Sequence, residues 1–269
     1  MSRSLAVIGC GNMAKAILRG IEKSACDINN VYLYDIYPAQ YEALLPSALF
    51  HPVDSIACAI ADADCVLLSV KPQQYTDVLE EISDCKNFQK KLYISIGAGI
   101  TVTSVSETLN GATVIRVLPN VPMLIGMGVS VICRNLKASQ SDFEFVSSLF
   151  QTAGCILEIE EEQMNRYIGV TSSSPAYVFR FIRAIVDAAE SQGLPTDGLL
   201  QAVCNVVIGS ATLLRDGKDS PDEWISKVAS KGGTTEQALH VLDSCDFDCI
   251  IRDAMNACTM RANELGQNK

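Results

Sequence analysis

Residues 7–18, VIGCGNMAKAIL, decide how the rest of the chain is read. Gly9-Cys10-Gly11-Asn12-Met13-Ala14 forms a GxGxxA turn directly after the apolar run LAVIG (5–9). Just beyond it, helical periodicity runs from about residue 12 to 23. In such a strand–turn–helix unit the first glycine allows the tight turn and the second lets a pyrophosphate reach the backbone. A small residue in the third position keeps helix and sheet close, and the helix N-terminus offers N–H groups to the phosphates. A glycine-rich turn can also serve only to pack a helix on a strand. Here an acidic residue, Asp35, follows at the end of the next strand, VYLYD (31–35), at the distance a ribose-binding carboxylate needs. Ile8, Gly9, Cys10, Gly11, Asn12, Met13, Ala14 and Asp35 are therefore the expected dinucleotide contacts. A carboxylate at that strand end repels a 2′-phosphate, and residues 36–40 contain no arginine, so NADH is favoured over NADPH. The alternative is that Asp35 only caps the next turn.

Outward from this unit, CVLLSV (65–70), KLYISIG (91–97), TVIRVLP (113–119) and VSVIC (129–133) read as further strands, several with helical patterns between them. That alternation predicts βαβ units and a mostly parallel sheet, an α/β Rossmann-like domain over residues 1–160. An open sheet places its ligand crevice at strand C-termini. This adds Ser69, Val70, Lys71 and Pro72 after one strand, and Ile96, Gly97 and Ala98 after another, as cofactor candidates.

Near Glu160 the strands cease. Residues 163–192 read as one long helix or two with a break near 172–175, closed by Gly193-Leu194-Pro195. A second helix follows over about 197–214. Ser220-Pro221 opens a short one to about Val228, and a last one covers roughly 247–265. The second domain, 161–269, is expected to be all-helical.

Composition narrows the function classes. The formal charge is −10 and no Lys/Arg-rich run exists, which argues against nucleic acid or an anionic membrane as partner. No apolar run reaches the roughly 18–20 residues that span a bilayer, and the start lacks a signal-peptide pattern, so a cytoplasmic protein is expected. The eleven cysteines have irregular spacings and no CxxC pair, and read as reduced, small core residues rather than disulfides or metal ligands. The run EIEEE (158–162) reads as a solvated charge run at the domain joint.

A second glycine turn, ASKGGTTEQAL (229–239), lies near the far end. Ser230-Lys231-Gly232-Gly233-Thr234-Thr235 offers successive N–H groups and hydroxyls before a helix, an arrangement suited to a small anion. Equally, it could be a plain turn with Thr234 as the cap, since Thr234 and Gln237 match a capping box.

These residues carry a family resemblance. The chain resembles the Δ1-pyrroline-5-carboxylate reductases along its whole length. The match rests on VIGCGNMA, SVKP, SIGAG, RVLPNVP (116–122), PAYVF (175–179), GLP (193–195) and the signature formed by 229–235 with Ala238-Leu239 and Leu242-Asp243. The resemblance implies that Ser230, Gly232, Gly233, Thr234 and Thr235 bind the pyrroline carboxylate, with N–H groups of residues 233–235 on the carboxylate and Thr235 Oγ on the ring nitrogen. Thr235 is thereby the catalytic candidate. It also implies a dimer, or a larger assembly, formed by the helical domain. The chain departs from the family pattern in three places. Ser172 and Ser174 stand where glycines are usual, Lys231 replaces a proline, and Asp54 or Ser55 stands nearest to a missing asparagine. No strong acid is demanded, because the pyrrolinium can arrive protonated, and neither His51, expected in a loop, nor His240 is needed. Reductases of β-hydroxy acids use a lysine on the interdomain helix, and 163–192 contains none. Another cyclic imine as substrate, or a non-catalytic nucleotide-binding role, remains open at this level.

Overall fold

The computed structural model describes residues 2–24 and 26–267, which divide into two compact units. Unit 1 comprises residues up to Ser173 together with Asn256 onward; unit 2 is Ser174–Met255.

Unit 1 is built on β1 (Arg3–Ile8), β2 (Ile28–Tyr34), β3 (Phe50–Pro52), β4 (Cys65–Leu68), β5 (Leu92–Ser95), β6 (Thr113–Leu118), β7 (Gly128–Arg134) and β8 (Gly154–Glu158). They form one sheet in the order β3-β2-β1-β4-β5-β6-β7-β8. All neighbouring pairs are parallel except β6 with β7. The inner strands are apolar almost without interruption, as strands covered on both faces must be. Successive β1 side chains point to opposite faces. Leu5 and Val7 join the cluster under α1 (Asn12–Lys23), whereas Ala6 and Ile8 join the one beneath α2 (Ile56–Ala61), α3 (Tyr75–Ser83) and α4 (Val102–Thr108). On the first face α5 (Gln140–Gln151) adds Phe143, Val146, Leu149 and Phe150.

The sequence reading had missed β3 and β8. His51 belongs to edge strand β3 rather than a loop, with Nε2 3.1 Å from Asn30 Oδ1. The acidic run is also more than a solvated stretch. Glu158 ends β8, and Glu161 opens α6 (Glu161–Tyr167), where it accepts from Val102 N–H and lies 3.6 Å from the buried guanidinium of Arg116. Arg116 Nη2 donates to Asn165 Oδ1 at 2.7 Å, and Asn165 donates to Asn263 Oδ1 at 2.8 Å.

After α6 comes a π-helical turn, Ile168–Ser172, the break expected within 163–192. Ser172, a departure from the family pattern, donates to the Pro119 carbonyl at 3.4 Å. Unit 2 then holds α7 (Ser174–Ser191), α8 (Leu199–Asp216), α9 (Pro221–Val228), α10 (Thr234–Ser244) and the first part of α11 (Phe247–Gln267). α9 begins as the sequence predicts, with Ser220 as N-cap, its Oγ accepting from Glu223 N–H, and Pro221 in the first helical position; Glu223, not singled out in the sequence, reaches back to Ser220 N–H.

Candidate functional site

The strand order reverses between β1 and β4, and their C-terminal ends carry Gly9 and Ser69. This is the switch point at which an open α/β sheet leaves its ligand crevice. Gly9 has φ +90°, a conformation other residues rarely adopt, and a Cβ there would come within 2.8 Å of Ser69 O. The glycine loop and the Ser69 turn, read separately from the sequence, are thus in backbone contact. Gly11 is the N-cap of α1, with no side-chain cap and open space where a Cβ would stand. The first N–H groups of a helix lack internal partners, so the start of α1 suits a phosphate.

A cavity of about 540 Å³ opens here, lined among others by Ile8, Gly9, Gly11, Asp35, Ser69, Val70 and Lys71. The remaining cofactor candidates do not line it. Cys10 and Ala14 are buried under the loop, and Ala14 provides the close helix–sheet packing expected of it. Burial pushes the Cys10 thiol up to about 12, so it stays protonated. The Cys10 N–H donates to Asp35 Oδ2 at 2.7 Å, and Tyr37 N–H donates to Asp35 Oδ1 at 2.8 Å. Asp35 therefore braces the glycine loop and caps its own turn while still lining the cavity. Asn12 is exposed and Met13 half-buried on α1, and Pro72 opens a 3₁₀ turn. Ser55 is occupied as the N-cap of α2.

Ile96, Gly97 and Ala98 stand apart from the cavity but are linked to its wall by Tyr75, which sequence reasoning missed. The Tyr75 hydroxyl donates to Leu68 O at 2.9 Å, accepts from Gly97 N–H at 2.9 Å and lies 3.1 Å from Ser95 Oγ. A Cβ on Gly97 would stand 2.7 Å from the Tyr75 ring, so this turn accepts only glycine without rearrangement.

In unit 2 the second glycine turn has a different economy of donors. Gly233 in extended backbone is the N-cap of α10, so Thr234 is the first helical residue and the Thr234–Gln237 capping box does not form. Gly233 N–H donates to Ser230 O at 2.9 Å, and Gly232 N–H donates to Glu236 Oε2 at 2.8 Å. Of the three N–H groups expected to face an anion, residue 233's is thus used within the loop, leaving Thr234 and Thr235 at the helix start. Glu236, reaching back from the third helical position, is a residue the sequence reading did not single out. Thr235 is half-buried; Ser230, Lys231, Gly232, Thr234 and His240 are exposed.

The cysteines are all free, with Cys10, Cys65 and Cys133 buried as core residues but Cys58, Cys155 and Cys245 exposed. Among the described residues no group of histidine, cysteine and carboxylate side chains is arranged to hold a metal.

Comparison with known proteins gives a consistent picture. Residues 161–265 match the family described as pyrroline-5-carboxylate reductase dimerisation, and residues 4–99 match NADP oxidoreductase, coenzyme F420-dependent. The chain is 32% identical over 270 residues to pyrroline-5-carboxylate reductase of Escherichia coli (strain K12), covering all of both chains. It is 29% identical to the enzyme of that name from Corynebacterium melassecola, over 98% of this chain and 99% of that one. Among solved structures it is similar to Plasmodium falciparum pyrroline carboxylate reductase with NADP bound, with TM-score 0.88, 25% identity and 98% of each chain covered. It is equally similar to 1-pyrroline-5-carboxylate reductase from Streptococcus pyogenes, with TM-score 0.89, 25% identity and coverage of 98% and 99%.

Proposed function

Because the chain belongs to the pyrroline-5-carboxylate reductase family, we propose that it reduces Δ1-pyrroline-5-carboxylate to L-proline with a reduced nicotinamide dinucleotide. The observation that carries this reading is the meeting of Gly9, Asp35 and Ser69 around one cavity, in a chain that aligns end to end with a reductase. The cavity fits a dinucleotide: its floor is backbone that side chains would block, and an uncapped helix start adjoins it. Gly9, Gly11, Ser69, Val70 and Lys71 would hold the cofactor, with Asn12 and Met13 supplying N–H groups at the start of α1 and Ala14 their support.

When bound, the reduced nicotinamide supplies the hydride for the carbon of C=N. This chain's residues bind and orient the imine. The Thr234 and Thr235 N–H groups and the Ser230 hydroxyl take the carboxylate, Gly232 and Gly233 shape the turn, and Thr235 Oγ meets the ring nitrogen. A pyrrolinium that arrives protonated needs no strong acid, so alignment is the main demand on the protein.

NADH is the preferred donor in this reading. Asp35, Asp77 and Glu81 line the cavity, with Lys71 as the one lining cation among the described residues, a setting that disfavours a further phosphate. Lys15 does not line the cavity itself, but its amine donates to Gln40 of that lining at 2.8 Å. Two copies pair through the helical unit, whose apolar side chains are open in the single chain. No helix among the described residues is long and apolar enough to cross a membrane, and the cytoplasm is the proposed site of action.

The test is steady-state oxidation of NADH and NADPH with Δ1-pyrroline-5-carboxylate, using the wild type and Thr235→Ala. Turnover with a higher kcat/KM for NADH, falling about 10- to 100-fold in the variant, is expected from loss of one hydrogen bond to a charged centre. A wild type that binds nucleotide without turning over this imine would sink the substrate assignment. A preference for NADPH would sink the reading of Asp35.

A further inference from the structure

Of the buried polar side chains that the mechanism leaves unused, Tyr75 is the most fully engaged. It is 3% exposed, and its hydroxyl meets three partners from three different places in the chain. A phenol has one hydrogen to give. Leu68 O can only accept and Gly97 N–H can only donate; with the phenolic hydrogen on Leu68 O, Ser95 Oγ is the donor of the third contact. Burial pushes the phenol up to about 12, so this hydrogen stays in place across the working pH range.

The three partners explain what the arrangement does. Leu68 is the last residue of β4 and precedes Ser69, whose carbonyl lies under Gly9. Ser95 is the last residue of β5, and Gly97 begins the turn after it. Tyr75 itself follows Gln74, whose side chain accepts from Lys71 N–H at 3.2 Å and which lines the cavity. One hydroxyl therefore ties the two strand ends and the intervening turn into a single rigid rim. Its ring fills the space that any side chain at residue 97 would need.

We propose that Tyr75 is a positioning residue of the nucleotide site, its hydroxyl holding the Gly97 turn against the end of β4 so that the turn is preformed for the cofactor. This rests on the proposed function and on the sequence expectation that Ile96, Gly97 and Ala98, at a strand C-terminus, meet the nucleotide. Tyr75 touches no reacting atom; its effect passes through the Gly97 N–H and the Leu68 carbonyl. Without the hydroxyl the ring still packs, but the buried Gly97 N–H loses its partner and the Leu68 carbonyl keeps only the Ile96 N–H at 3.2 Å, so the turn is held less firmly.

Tyr75→Phe keeps the ring and deletes only the hydroxyl. The expected result is an NADH Kd, measured by fluorescence titration, and an NADH KM both raised about 5- to 30-fold, the range for one buried donor left unpaired. The KM for the imine and kcat should stay within about twofold, since the substrate loop lies elsewhere in the chain. Ser95→Ala, which removes a single arm of the same junction, should show a smaller rise of the same kind. Unchanged nucleotide binding in Tyr75→Phe, or equal losses for nucleotide and imine, would overturn the proposal. Wild-type protein that binds no nucleotide would instead overturn the cofactor reading on which it stands.

Discussion

Unit 1 covers both faces of its sheet with helices, and its inner strands β1, β4, β5 and β6 are buried almost throughout. In unit 2, by contrast, Val203 is the one residue among those described that is buried, while Phe179, Leu200, Val206 and Ile208 are each more than half exposed. The helices of unit 2 are as apolar as those of unit 1. What differs is where the apolar surface finds its cover: inside the chain in one case, on another molecule in the other. A sheet closes its core by stacking helices on two faces. A pair of long helices with short neighbours has too little surface of its own and must borrow it.

The strongest way to break this contrast is Val206→Asp. A charge placed on a surface that pairing should bury costs about 3–5 kcal/mol, so the dimer constant should weaken by a factor of hundreds or more. Sedimentation would show monomers, while nucleotide binding by unit 1 should survive. A dimer that persists unchanged would put the interface elsewhere. Gly9→Ala attacks the self-contained unit instead. The positive φ and the 2.8 Å approach to Ser69 O leave no room for a methyl group. Nucleotide affinity should fall at least about tenfold, from a backbone penalty of about 1–2 kcal/mol plus the clash, with self-association intact. The smallest effect is expected at Asp142. Burial raises its carboxyl, but bonds from Ser139 and Arg3 outweigh that and hold it below its ordinary value of 3.8. The stabilisation is therefore complete above that value and is lost as pH falls through the lower native one. Asp142→Asn should lower Tm by a few degrees at pH 7 and by progressively less as pH falls below 3.8.

Much of unit 1 was legible because its signals are local. Residues 7–18 state a strand, a turn and a helix in order, and α1 starts and stops where its apolar period does. α9 was equally plain, since Ser220 and Pro221 each act within one turn. β8, GCILE, was not, because only its Ile156 packs on the core and no alternation marks it. The start of α10 was misread by one residue: glycine caps through its backbone and leaves no side-chain mark, while Thr234 and Gln237 imitate one. Tyr75 and Glu236 were invisible for another reason. Each matters through partners such as Gly97 N–H or Gly232 N–H, and what a side chain reaches is a property of the folded chain.

Helix α11 begins in unit 2 and ends in unit 1, where Ala262 is buried and its carbonyl would stand 2.6 Å from a Cβ on Gly99. Unit 2 is thus an insertion within unit 1, and this has a consequence for the order of synthesis. At about 5–20 residues per second, roughly ten seconds separate the emergence of Ser173 from that of the stretch that finishes the same unit. Through that interval the turn that includes Gly97 and Gly99 lacks the helix that packs on it. The growing chain must keep its first-made unit unfinished until the whole of its second has been translated.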